Sequence, residues 1–340
     1  METILQGGIN FILAFQALGS WLALPMKFFT FLGSEEFFLL VFPALYWSIN
    51  ASLGARIGAI LLFTGGLNDM LKMAFHGPRP YWVSAQVKAM SVEPTFGVPS
   101  GHSQTAVVIW GMLASYIKRP WAWATAIVII LMIGLSRLYL GVHFPHDVLF
   151  GWLIGALTLW AFLRWSDPLL AWLKTQSLGK QIGLAFALSM LMLAGSSAAF
   201  LSLQGWVFPA EWATNALKAG AAQTLAPISL DNALTGAGTL FGFLAGLAWI
   251  ASRGGFSTAT QIKQRVVCYI LGLVGLLILW YGLGLVFPKE ATLVAYLLRY
   301  LRYTLVGSWI TAGAPYLFLR FHLAGKAADS KLSEYTSNMR

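Results

Sequence analysis

Long apolar runs separated by short polar breaks recur along nearly the whole chain, at 9–31, 36–52, 55–75, 102–117, 122–140, 147–165, 181–203, 233–251, 266–287 and 303–322. A helix needs roughly 20 predominantly apolar residues to cross a bilayer, so these runs predict an all-α, polytopic bundle of transmembrane helices. The first run contains Gln16, Pro25 and Lys27, and either crosses or lies along the interface as an amphipathic helix. The stretch 203–220 has amphipathic spacing and two tryptophans, Trp206 and Trp212, and predicts a segment lying on the membrane surface. A second interfacial piece is expected at 290–302, where Arg299 and Arg302 snorkel among apolar neighbours. Residues 326–340 are polar and rich in small side chains, the composition of a disordered cytoplasmic tail.

Composition sharpens this picture. Of 340 residues 58% are hydrophobic and only 10% charged, with 15 Trp and 23 Phe, too apolar for an ordinary soluble domain. The net charge of +10 does not make a nucleic-acid binder, because the basic residues are scattered at the ends of apolar runs rather than gathered in a stripe. Placing the breaks after 52, 117, 165 and 251 on one side collects Arg56, Lys118, Arg119, Arg164, Lys174, Lys180, Arg253, Lys263 and Arg265 there. By the positive-inside rule that side is the cytoplasm. The loops 76–101 and 141–146 then face the opposite, extracytoplasmic side of a multi-pass cell-membrane protein. A single cysteine, Cys268, excludes an intrachain disulfide or a cysteine-based metal site. The N-terminus lacks the positive region and cleavage site of a secretory signal, so the first segment is expected to be retained.

Four of the five histidines, His76, His102, His143 and His146, fall between 76 and 146 and share one membrane face in this topology. Near them Lys72, Arg79 and Arg137 sit at the ends of apolar helices, where each carries a desolvation cost, up to ~2.5–3.5 kcal/mol at a helix centre. An anionic ligand offsets that cost; lipid headgroups and helix C-termini are the alternative partners. In Lys72–Pro80, KMAFHGPRP, the chain turns at Gly77 and Pro78, so the Lys72 ammonium and the Arg79 fork converge from different directions. Pro99-Ser100-Gly101-His102 precedes an apolar run and reads as a helix start, whose unpaired N–H groups bind anions beside a Ser hydroxyl and a His. In SRLYLGVHFPHD, 136–147, His143 and Asp147 are four apart, and with Pro145 in the first helical turn the carboxylate folds back to orient the imidazole.

Taken together and in order, K-x6-RP, PSGH and SR-x5-H-x3-D resemble the type 2 phosphatidic-acid phosphatase family, the lipid phosphate phosphatases, with no motif position substituted. The resemblance covers roughly residues 36–165. It implies a metal-free, cofactor-free hydrolysis in which His143 is the nucleophile that becomes phosphorylated and Asp147 supports its far ring nitrogen. It further implies that His102 is the acid and then the base, while Lys72, Arg79, Ser100, Gly101 and Arg137 hold the phosphoryl oxygens. Soluble haloperoxidases and acid phosphatases share these motifs, but the spans flanking every motif set them aside. His76 and His146 lie outside the motifs and are expected beside the site or at the interface, and Asp69, one turn before Lys72, either pairs with it or is an ordinary helix-end charge.

The expected organisation is a six-helix phosphatase core over 1–170, about four further transmembrane helices over 171–325 without a chemical motif, and the tail. Gly238, Gly242 and Gly246 repeat every four residues, a smooth face for close helix approach within the chain or between two copies of a homo-oligomer. The expected substrate is a lipid phosphomonoester or isoprenyl diphosphate. Two alternatives stand beside hydrolysis: phosphoryl transfer to another acceptor at the same site, and a non-enzymatic phosphate-binding transporter or scaffold.

Overall fold

The computed structural model describes residues 2–220, 225, 227–288 and 290–327. All of the long regular elements are helices. They are α1 (Glu2–Gln16), α2 (Ala23–Phe31), α3 (Glu35–Ala44), α4 (Ala51–Phe75), α5 (Pro80–Val83), α6 (Gly101–Ile117), α7 (Pro120–Tyr139) and α8 (Pro145–Lys174). The chain continues through α9 (Leu178–Ser202), α10 (Ala210–Lys218), α11 (Asp231–Ala251), α12 (Ile262–Leu277), α13 (Leu283–Val286), α14 (Leu293–Ser308) and α15 (Ala314–Arg320).

Six stretches, 51–83, 120–139, 145–174, 178–202, 231–251 and 262–286, are long and apolar enough to cross a bilayer, and the protein is a multi-pass membrane protein. That is fewer than the ten apolar runs of the sequence. The run 9–31 is two helices meeting at 91°, because Gly19 turns the chain at a φ of +113° that side-chain-bearing residues rarely adopt. The run 36–52 leaves the helix at Asn50, whose backbone is extended, after a π-helical turn at Leu45–Ile49, while 303–322 stays helical through a π-helical turn at Trp309–Gly313 and carries Arg320 at its end. The α6 helix has 17 residues, the lower end of a spanning length. The expected tail from residue 328 onward lies outside the described residues.

The chain divides into two compact units. The first comprises 1–38, 64–164 and 194–230 and contains all three motifs. Its helices are apolar on the outside and small on the inside: on α8, Leu149, Leu153, Leu157 and Trp160 are exposed while Gly151 and Gly155 are buried. A Cβ on Gly151 would come within 2.6 Å of the Ser100 carbonyl oxygen, and one on Gly155 within 2.6 Å of the Gln104 carbonyl oxygen. With no apolar driving force between helices in lipid, close backbone approach of this kind is what holds α8 on α6. The core beneath the loops is aromatic, built around Tyr81, Trp82, Phe96, Tyr139 and Phe144. One face of the stretch expected on the membrane surface packs against it. Trp206, Phe208 and Trp212 make ring contacts with Trp82 or Phe96, and Asn215 on α10 donates to the carbonyls of Trp82 and Val83 at the end of α5. Those two carbonyls have no helical N–H to receive, which is why a short polar side chain serves there.

The second unit comprises 39–63, 165–193 and 231–340. Here the Gly238, Gly242, Gly246 stripe faces the backbone of Tyr300 and Thr304 and the side chain of Thr311, so it packs α11 on α14 and the π-turn within one chain. Polar groups inside this unit are tied to backbone carbonyls: Trp47 to Ile310, Thr311 to Phe243, and Ser189 to Ala237. Arg299, expected to snorkel, forms an ion pair with Asp231 at 3.1 Å.

Candidate active site

The three sequence motifs converge at one end of the first unit. The amide of Ser100 donates to the main-chain carbonyl of Asp147 at 3.0 Å, fastening the second motif to the third. Arg79 Nη1 donates to the carbonyl of Val142 at 2.9 Å, fastening the first to the third. Asn68, one turn before Lys72, donates to the carbonyl of Pro99 and to Gln104 Oε1, and Gln104 in turn donates to Thr64. These buried amides join α4 to α6 beneath the site, where an unpaired polar group would be costly.

His143 is 1% exposed. Its Nδ1 lies 3.3 Å from Asp147 Oδ2, which also accepts from the amide of Phe144 at 2.8 Å. That pairing assigns the ring proton to Nδ1 and leaves the lone pair on Nε2, which faces Arg79 Nη1 at 3.4 Å. Burial, followed by the positive charges of Arg79, Arg137 and Lys72 and by His102, holds the imidazole well below its ordinary pKa of 6.5, so it is neutral. A neutral ring with an oriented, unprotonated Nε2 is the state a nitrogen nucleophile requires. His102, in the first turn of α6, has no hydrogen-bond partner on either ring nitrogen among the described residues, which leaves both open to a ligand or water.

The cations differ in what they have left to give. Arg79 is fully buried and has all five N–H donors engaged: Nε on the carbonyl of Thr95, Nη1 on Val142 and against His143, and Nη2 on Thr95 Oγ1 and the carbonyl of Phe96. The donor facing His143 Nε2 is the longest of these, and a phosphate at that nitrogen would share it. Lys72 Nζ donates to Thr95 Oγ1 at 3.0 Å. Arg137 is 1% exposed; it donates through Nη1 to Thr30 Oγ1 and through Nη2 to Glu93, while its Nε is buried with no partner among the described residues. A buried guanidinium N–H left without an acceptor is costly, and an anion at this point would supply one.

Ser100 is placed as the N-cap of α6, its Oγ accepting from the amide and hydroxyl of Ser103. Gly101 follows at the helix start, where a Cβ would sit 3.0 Å from Asn68 Oδ1. His146 stacks on Phe144, with Nε2 3.2 Å from Asp147 Oδ1 but out of hydrogen-bond alignment. His76 packs against Phe96 and Trp206. Neither makes a hydrogen bond to Lys72, Arg79 or Arg137 among the described residues. No His, Cys, Asp and Glu side chains gather as a metal-binding group of three or more among the described residues.

Sequence reasoning passed over Glu93 and Thr95. Glu93 pairs with Arg137, 44 residues on, and Tyr81 OH bridges its backbone, donating to the carbonyl and accepting from the amide. Burial alone would raise its carboxyl pKa, but the charges of Arg137, Arg79, His102 and Lys72 outweigh burial and hold it far below the usual carboxylate range. The acid in the loop between two cationic motifs was the available signal, though its partner was not.

Residues 53–170 match the PAP2 superfamily, and residues 234–326 match the PAP2 superfamily phosphatase, transmembrane extension. Among curated proteins the chain is similar to glucose-6-phosphatase 3 of Bos taurus, 28% identical over 363 aligned residues that cover 94% of this chain and 97% of that one. It is also similar to phosphatidylglycerophosphatase B of Bacillus subtilis, 29% identical over 150 residues, covering 40% and 71%. A crystal structure of a transmembrane PAP2 type phosphatidylglycerolphosphate phosphatase from Bacillus subtilis aligns with a TM-score of 0.41 and 25% identity, over 48% of this chain and 86% of that one.

Proposed function

Because the chain belongs to the PAP2 superfamily and is a phosphoric ester hydrolase, we propose that it cleaves the phosphate of a membrane lipid through a phospho-histidine at the extracytoplasmic face. The observation that carries this reading is His143, buried and neutral, with Nδ1 held by Asp147 and Nε2 turned to the cations. In the first step Nε2 attacks phosphorus, the P–O ester bond breaks, and His102, which holds a proton once the phosphate's negative charge is bound beside it, gives that proton to the departing alkoxide. In the second, His102 takes a proton from water, the hydroxide attacks phosphorus, and the P–N bond breaks to release phosphate and neutral His143. Proton transfer of this kind is worth ~10²- to 10⁴-fold in rate. Arg137 Nε, Lys72, the Arg79 donor beside His143, the hydroxyl of Ser100 and the amides at Gly101 bind the phosphoryl oxygens and stabilise the charge that develops on them. The reaction needs no metal. Residues 1–170 form the catalytic core in this reading, and the helices of 171–325 contribute no reacting group. The hydrolase relationship sets the phosphate carrier aside, while transfer to an acceptor other than water uses the same residues and differs only in the second step.

Lipid phosphates such as phosphatidic acid and phosphatidylglycerophosphate, or undecaprenyl diphosphate, are the substrates favoured by the likeness to phosphatidylglycerophosphatase B and by the apolar helices around the site. A soluble sugar phosphate is a second reading, favoured by the likeness to glucose-6-phosphatase 3 running along almost the whole chain. Phosphate release from phosphatidic acid, undecaprenyl diphosphate and glucose 6-phosphate, with and without chelator, ranks these. His143→Ala is expected to abolish turnover while orthovanadate still binds. Turnover retained in that variant, or lost to chelator, refutes the proposal.

A further inference from the structure

Glu93 puts a fixed negative charge on the same guanidinium that offers its free Nε to an anion. Nη2 of Arg137 is paired with the Glu93 carboxylate, and Nη1 with Thr30. Glu93 is anchored as well as charged: the hydroxyl of fully buried Tyr81 bridges its backbone amide and carbonyl, so the residue does not leave with small side-chain motions. Among the described residues it is the acid that forms an ion pair with one of the three cations Lys72, Arg79 and Arg137. Asp69 and Glu35 also act on Lys72, more weakly than Glu93 does.

An anion bound at Arg137 Nε therefore has a carboxylate as its neighbour. A phosphomonoester, carrying about two negative charges near neutral pH, meets Lys72, Arg79, Arg137 and protonated His102 offset by the Glu93 and Asp147 carboxylates, and its charge is matched. A diphosphate brings a further negative charge into the same partly buried space, where like charges are poorly screened. We propose that Glu93 is a specificity-determining residue that limits the charge the site accepts, selecting phosphomonoesters over diphosphates. This rests on the reading of the site as phosphate-binding, and narrows it: of the lipid substrates considered above, the monophosphates fit and the isoprenyl diphosphates are disfavoured.

The test uses the full-length protein in detergent, turning over p-nitrophenyl phosphate, with orthophosphate and pyrophosphate as competing inhibitors. Wild-type protein is expected to bind orthophosphate more tightly than pyrophosphate. Glu93→Gln, which keeps the shape and removes the charge, is expected to shift the ratio of the two inhibition constants toward pyrophosphate by roughly tenfold, the order a like charge a few ångströms away produces. An unchanged ratio in Glu93→Gln overturns the inference, and so does a wild-type preference for pyrophosphate, which needs no variant to measure. Failure of the underlying reading looks different: His143→Ala would then turn over the ester as wild type does.

Discussion

Replacing Arg79 with lysine keeps the charge and removes the geometry, and the structure gives a size for the difference. Three backbone carbonyls, of Thr95, Phe96 and Val142, receive the guanidinium at 2.6, 3.0 and 2.9 Å from different sides. A lysine ammonium is a single point on a shorter fork-free chain, and reaches one of them. Two buried carbonyls are then left without a donor, each costing ~1–3 kcal/mol, so Arg79→Lys is expected to lose about 2–6 kcal/mol of stability. At ~2–4 °C per kcal/mol for a domain of this size, the melting temperature in detergent falls by more than about 5 °C. Activity falls with it, because Thr95 and Val142 also position Lys72 and His143. The informative comparison is between the two readouts. A residue that only held phosphate would lose activity and keep its melting temperature, so a variant melting within about 1 °C of wild type refutes the argument whatever its turnover.

Gly151→Val forces a side chain against the Ser100 carbonyl and should drive α8 off α6, lowering activity at least ~100-fold and stability by ~1–3 kcal/mol. The same substitution at exposed Leu149 should change neither, and equal effects at both positions would refute the packing account. For pH, His143 is neutral in the fold and binds its proton less readily than in the unfolded chain, so acid favours unfolding. Its contribution is complete above pH 6.5 and is lost as pH falls below that value. Wild type should therefore lose more melting temperature between pH 6.5 and 5 than His143→Asn, and parallel losses would show that His143 does not titrate in this way.

The helical character and the multi-pass architecture were readable because apolar runs of spanning length leave little choice of structure. Hydropathy alone did not foresee how two of the runs are shaped: 9–31 bends by 91° at a positive-φ glycine, as a broken span or a re-entrant pair, and 303–322 continues as helix through a π-helical turn. The contact between His143 and Asp147 was legible because a spacing of four across a helix start survives without knowledge of the fold. What spacing could not give was the state of each group. Ser100 is engaged as a helix cap and Arg79 has its donors engaged on loop oxygens and His143, while the Nε of Arg137 is buried with no partner among the described residues. The Gly238 stripe stands out by its strict four-residue repeat, whereas the Gly151 and Gly155 pair, with only two members, does not, although it is the pair that packs on the Ser100 and Gln104 backbone. Amphipathic spacing at 203–220 reports that one face is apolar and not what covers it; Trp82 and Phe96 cover its aromatic rings.

Asp147 does two jobs with separate atoms. Its carboxylate orients His143, whereas its main-chain oxygen receives the Ser100 amide and clasps two distant segments together. Because the clasp belongs to the peptide and not to the side chain, chemistry at this position can be altered while the junction stays closed. Proline at position 100 would do the reverse, opening the junction with His102, His143 and Asp147 still present, at the cost of the Ser100 hydroxyl as well.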